Sequence, residues 1–155
     1  MSNGSALADA LGRLDVLVGR WAVEPGGTFE GTPEGTATIE WALDHRFLVW
    51  WASIPDRRFP ESIAVISINS DGHTYRQHYF DSNGNARIYK MSLEADAWTL
   101  LRDEPDFTPL EFSQRFVARI DRGGETITGA WESRGPEGGW QKDFDLVYRK
   151  LPPEE

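Results

Sequence analysis

The stretch Leu14-Asp15-Val16-Leu17-Val18-Gly19-Arg20-Trp21 decides the fold, because two periodicities meet in it. Upstream, Leu7, Leu11, Leu14 and Val18 recur at intervals of four, three and four, which is one stripe of an α-helix predicted over 5–18. Ser5 is placed to cap its start and Gly19 to stop it. Downstream of Trp21 the pattern changes to period two, broken at short intervals by turn residues such as Gly31-Thr32-Pro33, Ser70-Asp71-Gly72, Asn83-Gly84, Ala95-Asp96, Gly123-Gly124 and Pro136-Glu137. The spacing predicts about ten antiparallel strands near 20–30, 36–43, 46–54, 62–69, 73–81, 86–93, 97–103, 111–121, 125–133 and 140–149. A meander of this length closes into an up-and-down barrel, which removes its exposed edges. The expected fold is therefore all-β, with one short N-terminal helix to bury its stripe against the sheet. No later helix of ten residues or more is predicted, which argues against helix-grip and cone-shaped cyclase domains.

At 155 residues the chain is read as one domain over 5–150, with short disordered ends at 1–4 and 151–155. Seven Trp, eight Phe and four Tyr are a heavy aromatic load, suited to pleated half-buried surfaces or to a cavity wall. A net charge of −9 argues against a nucleic-acid partner, which calls for a basic footprint. Without cysteine there is neither a disulfide framework nor a thiolate metal site. No apolar run approaches the roughly 20 residues of a membrane span, and Met1 to Ser5 lack the character of a leader, so a cytoplasmic protein is expected, without a membrane partner.

Hairpin chemistry then places side chains. If Asn83-Gly84 forms a two-residue turn, Phe80 faces Arg87, His78 faces Tyr89 and Arg76 faces Met91. The turn at Ala95-Asp96 pairs Leu93 with Trp98, Met91 with Leu100 and Tyr89 with Arg102. One face then carries Arg76, His78, Arg87, Tyr89, Met91, Trp98 and Arg102, and is read as the interior. His78, Tyr89 and Arg102 become neighbours at spacings of about 4.5–5.5 Å across three strands. At the C-terminus, pairing across Gly123-Gly124 and Pro136-Glu137 aligns Phe116 with Trp131 and Lys142, Ala118 with Gly129 and Phe144, and Ile120 with Ile127 and Leu146. Gln114 and Ser133 share that face near Trp140, while Arg115 and Glu132 pair on the other. A one-residue bulge there would turn Glu132 into the cavity. On the early strands Ile39, Trp41, Leu43, Leu48 and Trp50 form the interior set. That leaves Phe47, Val49, Trp51, Ile66 and Ile68 as an outer apolar patch, a candidate homodimer face.

The chemistry expected of this interior is binding. A small, largely apolar or amphipathic molecule with an anionic or carbonyl end would be oriented by Arg102, Tyr89 and His78 and enclosed by Trp98, Phe116, Trp131 and Phe144, with Arg76, Arg87, Met91 and Gln114 alongside. An acid–base enzyme using His78 or Tyr89, such as an isomerase, cyclase or hydratase, is the first alternative. A dimeric interaction module is the second. His45 and His73 fall in turns, so no metal site is expected. No phosphate loop or nucleophile elbow occurs, and Glu40, Asp81, Glu111 and Glu132 are dispersed over different strands. No cofactor is expected.

The helix followed by Gly19-Arg20-Trp21 resembles the opening of the lipocalin-like (calycin) barrels, over a strand layout covering residues 5 to 150. The runs His78-Tyr79-Phe80-Asp81-Ser82-Asn83-Gly84 and Trp131-Glu132 look like those of uncharacterised bacterial members. The resemblance implies a small-molecule cavity and a structural trio: Gly19, Trp21 closing the barrel floor, and a basic residue from the last strand over the indole. Arg149 is the residue it implies for that place, as a cation–π contact. The chain departs from secreted lipocalins in having no signal peptide, disulfide or Thr-Asp-Tyr motif. It resembles haem-binding nitrobindin-type barrels at Gly19-x-Trp21 as well, but Ala22-Val23-Glu24 breaks their Gly-x-Trp-x-Gly-x-Gly pattern.

Overall fold

The computed structural model describes residues 3–153. Helix α1 (Asn3–Arg13) tightens into a 3-10 turn (Leu14–Leu17), and ten strands follow: β1 (Gly19–Pro25), β2 (Gly35–Ala42), β3 (Phe47–Ser53), β4 (Ser62–Ile68), β5 (Tyr75–Asp81), β6 (Ala86–Glu94), β7 (Ala97–Arg102), β8 (Ser113–Ile120), β9 (Thr126–Arg134) and β10 (Gln141–Lys150). Each strand pairs antiparallel with its chain neighbours, and β10 returns to β1, so the barrel is closed. The ten-stranded barrel with one short helix is the architecture expected. Asn3 and Gly4 belong to the helix, and the Leu151 amide extends the β1–β10 ladder by donating to the Arg20 carbonyl at 2.8 Å. The ends otherwise expected to be disordered lie in part outside the described residues. No helix among the described residues is long and apolar enough to cross a membrane.

The helix and the turns after β2, β4, β6 and β8 close one end. The 3-10 tightening rotates the apolar stripe, so Ala10, Leu14 and Leu17 are the residues fully buried. Three hydrogen bonds fasten the plug. The Tyr75 hydroxyl donates to the Ala10 carbonyl (2.6 Å), the Trp21 indole N–H to the Leu17 carbonyl (2.9 Å) and the Trp41 indole N–H to the Asp15 carboxylate (3.0 Å). Trp21 is wholly buried at this floor, but its cation is Lys150, whose Nζ lies 5.4 Å from the ring centroid. Arg149 was the expected partner, and the register explains the correction. Lys150 stands opposite Trp21, whereas Arg149 stands opposite Ala22 and points outward to Glu24 and Glu34. Gly19 has φ +145°, a conformation that residues with a side chain rarely adopt, so the position favours glycine; a Cβ there would also meet Lys150 Cε at 2.9 Å, which the flexible lysine stem could relieve by shifting.

Two registers stand as the turns predict: Leu93 opposite Trp98, and Phe116 opposite Trp131 with Ala118 opposite Gly129. The third differs by one residue. Asp81 N–H donates to the Asn85 carbonyl and Gly84 N–H to the Asp81 carbonyl, so the β5–β6 loop holds three residues, with Gly84 at φ +86°. Tyr79 then faces Arg87, and Gln77 faces Tyr89. An odd shift inverts a strand, so Tyr75, Gln77 and Tyr79 point inward while Arg76, His78 and Phe80 point outward. At β10 a bulge between Lys142 and Phe144 moves Phe144 opposite Trp131 and Leu146 opposite Gly129. Glu132 stays outside and accepts from Arg115 at 2.6 Å, and Trp140 stacks over Arg115 and Arg134 on that outer side rather than beside Gln114.

The same reasoning corrects the early strands. Leu48 pairs with Ile66 and Trp50 with Ala64, which turns Ile66 fully inward and packs Ile68 against the core. Leu43 begins a turn in which Leu43, Asp44 and His45 all have positive φ, and it is 74% exposed. The outer apolar surface therefore consists of half-buried Phe47 and Val49 with exposed Trp51, and continues through Ile63 and Phe80 to Phe107.

Candidate functional site

The loops after β1, β3, β5, β7 and β9 lie at the other end, where the first three of them contribute to the lining of a cavity of about 330 Å³. The lower half of the barrel is solid. Trp98 is wholly buried between Trp50 (centroids 5.2 Å apart) and Phe116 (5.3 Å), and Leu48, Ile66, Met91 and Leu100 fill the space around them. Gly129 leaves room for the Phe116 ring, since a Cβ there would lie 2.7 Å from Phe116 Cζ. The cavity begins above this layer, with Trp50 and Tyr148 at its floor, Trp131, Tyr79 and Tyr89 around its wall, and Phe29, Phe59 and Phe144 near its mouth. The last three pack edge to face at 4.8–5.8 Å. This is the geometry in which aromatic quadrupoles attract.

Polar side chains interrupt the aromatic lining: Arg58, Asp81, Asn83, Asn85 and Asp143 contribute to it, and Arg87, Tyr89 and Gln114 form one hydrogen-bonded wall. Gln114 Oε1 accepts from Arg87 Nη1 at 2.8 Å and from the Tyr89 hydroxyl at 3.1 Å. Arg87 makes no ion pair among the described residues, and its guanidinium keeps further donors for the cavity. By contrast Arg58, at the mouth, is already held by the Asp56 carboxylate.

Arg87 and Gln114 can meet because β7 is the shortest strand. Its pairing with β6 stops at Lys90–Leu101, and beyond that point side chains replace the ladder. The Asp106 carboxylate, carried by the β7–β8 loop, accepts from the Ile88 N–H at 2.9 Å and binds Arg102 through Nε (2.7 Å) and Nη2 (2.9 Å). Both side chains are almost fully buried. Hydrogen bonds from Arg102 outweigh burial and hold the Asp106 carboxyl well below the usual carboxylate range. Arg102 is thus neutralised within the wall.

The expected trio of His78, Tyr89 and Arg102 is therefore not assembled. His78 lies outside, 6.4 Å from Phe107, and Arg76 is exposed beside it on the outer face. Of the other expected site residues, Arg87, Tyr89, Gln114, Trp131 and Phe144 line the cavity, whereas Met91, Trp98 and Phe116 belong to the solid layer beneath. Gln77, Tyr79 and Tyr148 line it too and were missed, and Trp50, expected in the interior but not as a site residue, joins them. Asp81, two residues before Asn83, was the available signal, because an Asx turn there favours the three-residue loop that turns Gln77 and Tyr79 inward.

The three phenols and the Asp81 carboxyl that face the cavity are shifted away from neutrality. Burial raises the Tyr79 phenol, and its hydrogen bond to Asp81 raises it further; burial likewise raises Tyr89 and Tyr148. Burial pushes the Asp81 carboxyl up, but hydrogen bonds from Asn85, Tyr79 and Asn83 together leave it lowered. No histidine lines the cavity: His45 stacks on Trp41 at the closed end and His73 sits in the β4–β5 turn. Among the described residues no group of three or more metal-binding side chains comes together.

No family model matches the chain, and no curated protein is detectably similar to it in sequence. Among solved structures it is similar to Rv2717c from M. tuberculosis, with a TM-score of 0.62 over 92% of this chain and 98% of that one, at 14% identity. That likeness is one of fold.

Proposed function

We propose that the barrel binds a small, largely apolar molecule whose anionic or carbonyl end is received by Arg87. The observation that supports this most is the Arg87 guanidinium, which makes no ion pair among the described residues and is held by Gln114 on the wall of a cavity rich in aromatic side chains, although Arg58, Asp81 and Asp143 line that cavity too. Arg87 is half-buried, and an acid entering the cavity supplies the counter-charge that no ion pair provides there. The volume lies at the lower end of the roughly 300–1,000 Å³ of small-molecule pockets, so a single aromatic ring with a short acidic arm suits it better than a long-chain lipid. Binding is favoured over acid–base catalysis because the phenols are raised and the Asp81 carboxyl lowered, away from working pH.

The test is calorimetric titration with benzoate and phenylacetate, each beside its uncharged methyl ester. The acids are expected to bind more tightly than the esters. Replacing Arg87 with methionine should weaken the acids by about 10–100-fold, the worth of hydrogen bonds to a charged group. Equal affinity of acid and ester, or of wild type and Arg87→Met, would overturn the reading.

A further inference from the structure

Two side chains at the floor of the cavity hold polar atoms with nothing to bond. Gln77 is 2% exposed and its Oε1 has no hydrogen-bond partner; Trp50 is 8% exposed and its Nε1 has none either. Both residues line the cavity, and both lie deeper than Arg87: Gln77 is two residues below Tyr79, the register partner of Arg87, and Trp50 lies against Trp98 in the solid layer. Buried polar groups are almost always satisfied, and an orphan costs its full desolvation. Among the described residues the third such atom is Trp98 Nε1, in the solid layer beneath; Gln77 and Trp50 are the two of the three that line the cavity.

The two orphans are also complementary. One is an acceptor and the other a donor, and the amide of Gln77 turns about a broad terminal torsion that can bring either of its ends to the cavity. We infer that the occupant carries, at the end opposite its acid, a hydroxyl that bonds the Gln77 amide and the Trp50 indole N–H. A hydroxyl both donates and accepts, so one small group answers both. The ligand class is then a small hydroxylated aromatic carboxylic acid, its charge on Arg87 and its ring between the aromatic walls. This deepens the proposed function and rests on it.

The test compares matched acids on the intact protein: 4-hydroxybenzoate against benzoate, and 4-hydroxyphenylacetate against phenylacetate, by calorimetry. In the wild type the hydroxyl of at least one pair should tighten binding by about tenfold or more, the worth of a hydrogen bond that relieves a buried orphan. In Gln77→Leu and in Trp50→Phe that ratio should collapse towards one. Gln77→Leu should also melt at a higher temperature than wild type when no ligand is present, because it removes an unsatisfied amide from a buried site. Parent acids that bind with no preference for the hydroxyl would overturn this inference and leave the acid-binding reading standing. Failure of every acid to bind would overturn both. A lower melting temperature for Gln77→Leu would show that the amide is already satisfied by the empty protein, and would equally overturn the inference.

Discussion

Replacing Asp106 with alanine is expected to cost about 3–5 kcal/mol of folding stability, measured by denaturant unfolding, because it strands the buried Arg102 charge. No exposed ion pair of this protein should approach that figure, since such pairs contribute about 0–1 kcal/mol. The loss arises from five bonds at once: two from Arg102, two from the Thr108 N–H and hydroxyl, and one from the Ile88 N–H, which has no strand partner on that side beyond the end of β7. Exchanging both partners for apolar residues, Arg102→Met with Asp106→Leu, should restore most of the loss, because no charge is then left unpaired. The pair also gives the stability a defined response to acid. The folded carboxyl lies below its unfolded value of about 3.9, so its contribution is complete above that value and fades as pH falls towards the folded one. The stability difference between wild type and Asp106→Ala should accordingly be level above about pH 5 and narrow below about pH 4. A difference that widens in acid would contradict the assignment.

The other large effect is expected at the closed end. Trp21→Ala should cost about 3–5 kcal/mol, the range for deleting a buried large aromatic side chain. Trp21 is fully buried, its indole N–H holds the Leu17 carbonyl, and its ring faces Lys150. The plug helix reaches the barrel through few other fastenings, chiefly Tyr75 to Ala10 and Trp41 to Asp15. Hydrogen exchange of the helix amides should therefore rise more than that of β6 to β8. Uniform loss of protection would show instead that the helix and barrel unfold as one unit. Lys150→Met, which retains the apolar stem over the ring, should be much milder.

How much of this was legible in the sequence depended on the turns. All ten strands could be placed because their boundaries coincide with Gly, Pro, Asn and Asp clusters, and the hairpins at Ala95-Asp96 and Gly123-Gly124 gave correct facing pairs. Asn83-Gly84 misled because the pair does not fill the turn alone. Asp81 bonds the amides of Asn83 and Asn85 through its carboxylate and adds a residue to the loop. One residue is enough to exchange His78 for Gln77 and Tyr79 on the cavity face. A shift of one residue likewise separates Arg149, implied by the resemblance, from Lys150, the basic residue of β10 that lies over Trp21. Asp106 left no trace, because a side chain that replaces a strand has no periodicity. What survived every correction is the wall of Arg87, Tyr89, Gln114, Trp131 and Phe144, on strands whose inward faces were assigned correctly.

The account turns on whether that wall holds an acid. The most direct measurement is a crystal structure of the protein soaked with phenylacetate. The predicted result is one ligand inside the barrel, its carboxylate on the Arg87 guanidinium and its ring against Trp131 and Phe144. A cavity holding only water at saturating acid, or a ligand bound solely on the outer face, would contradict it.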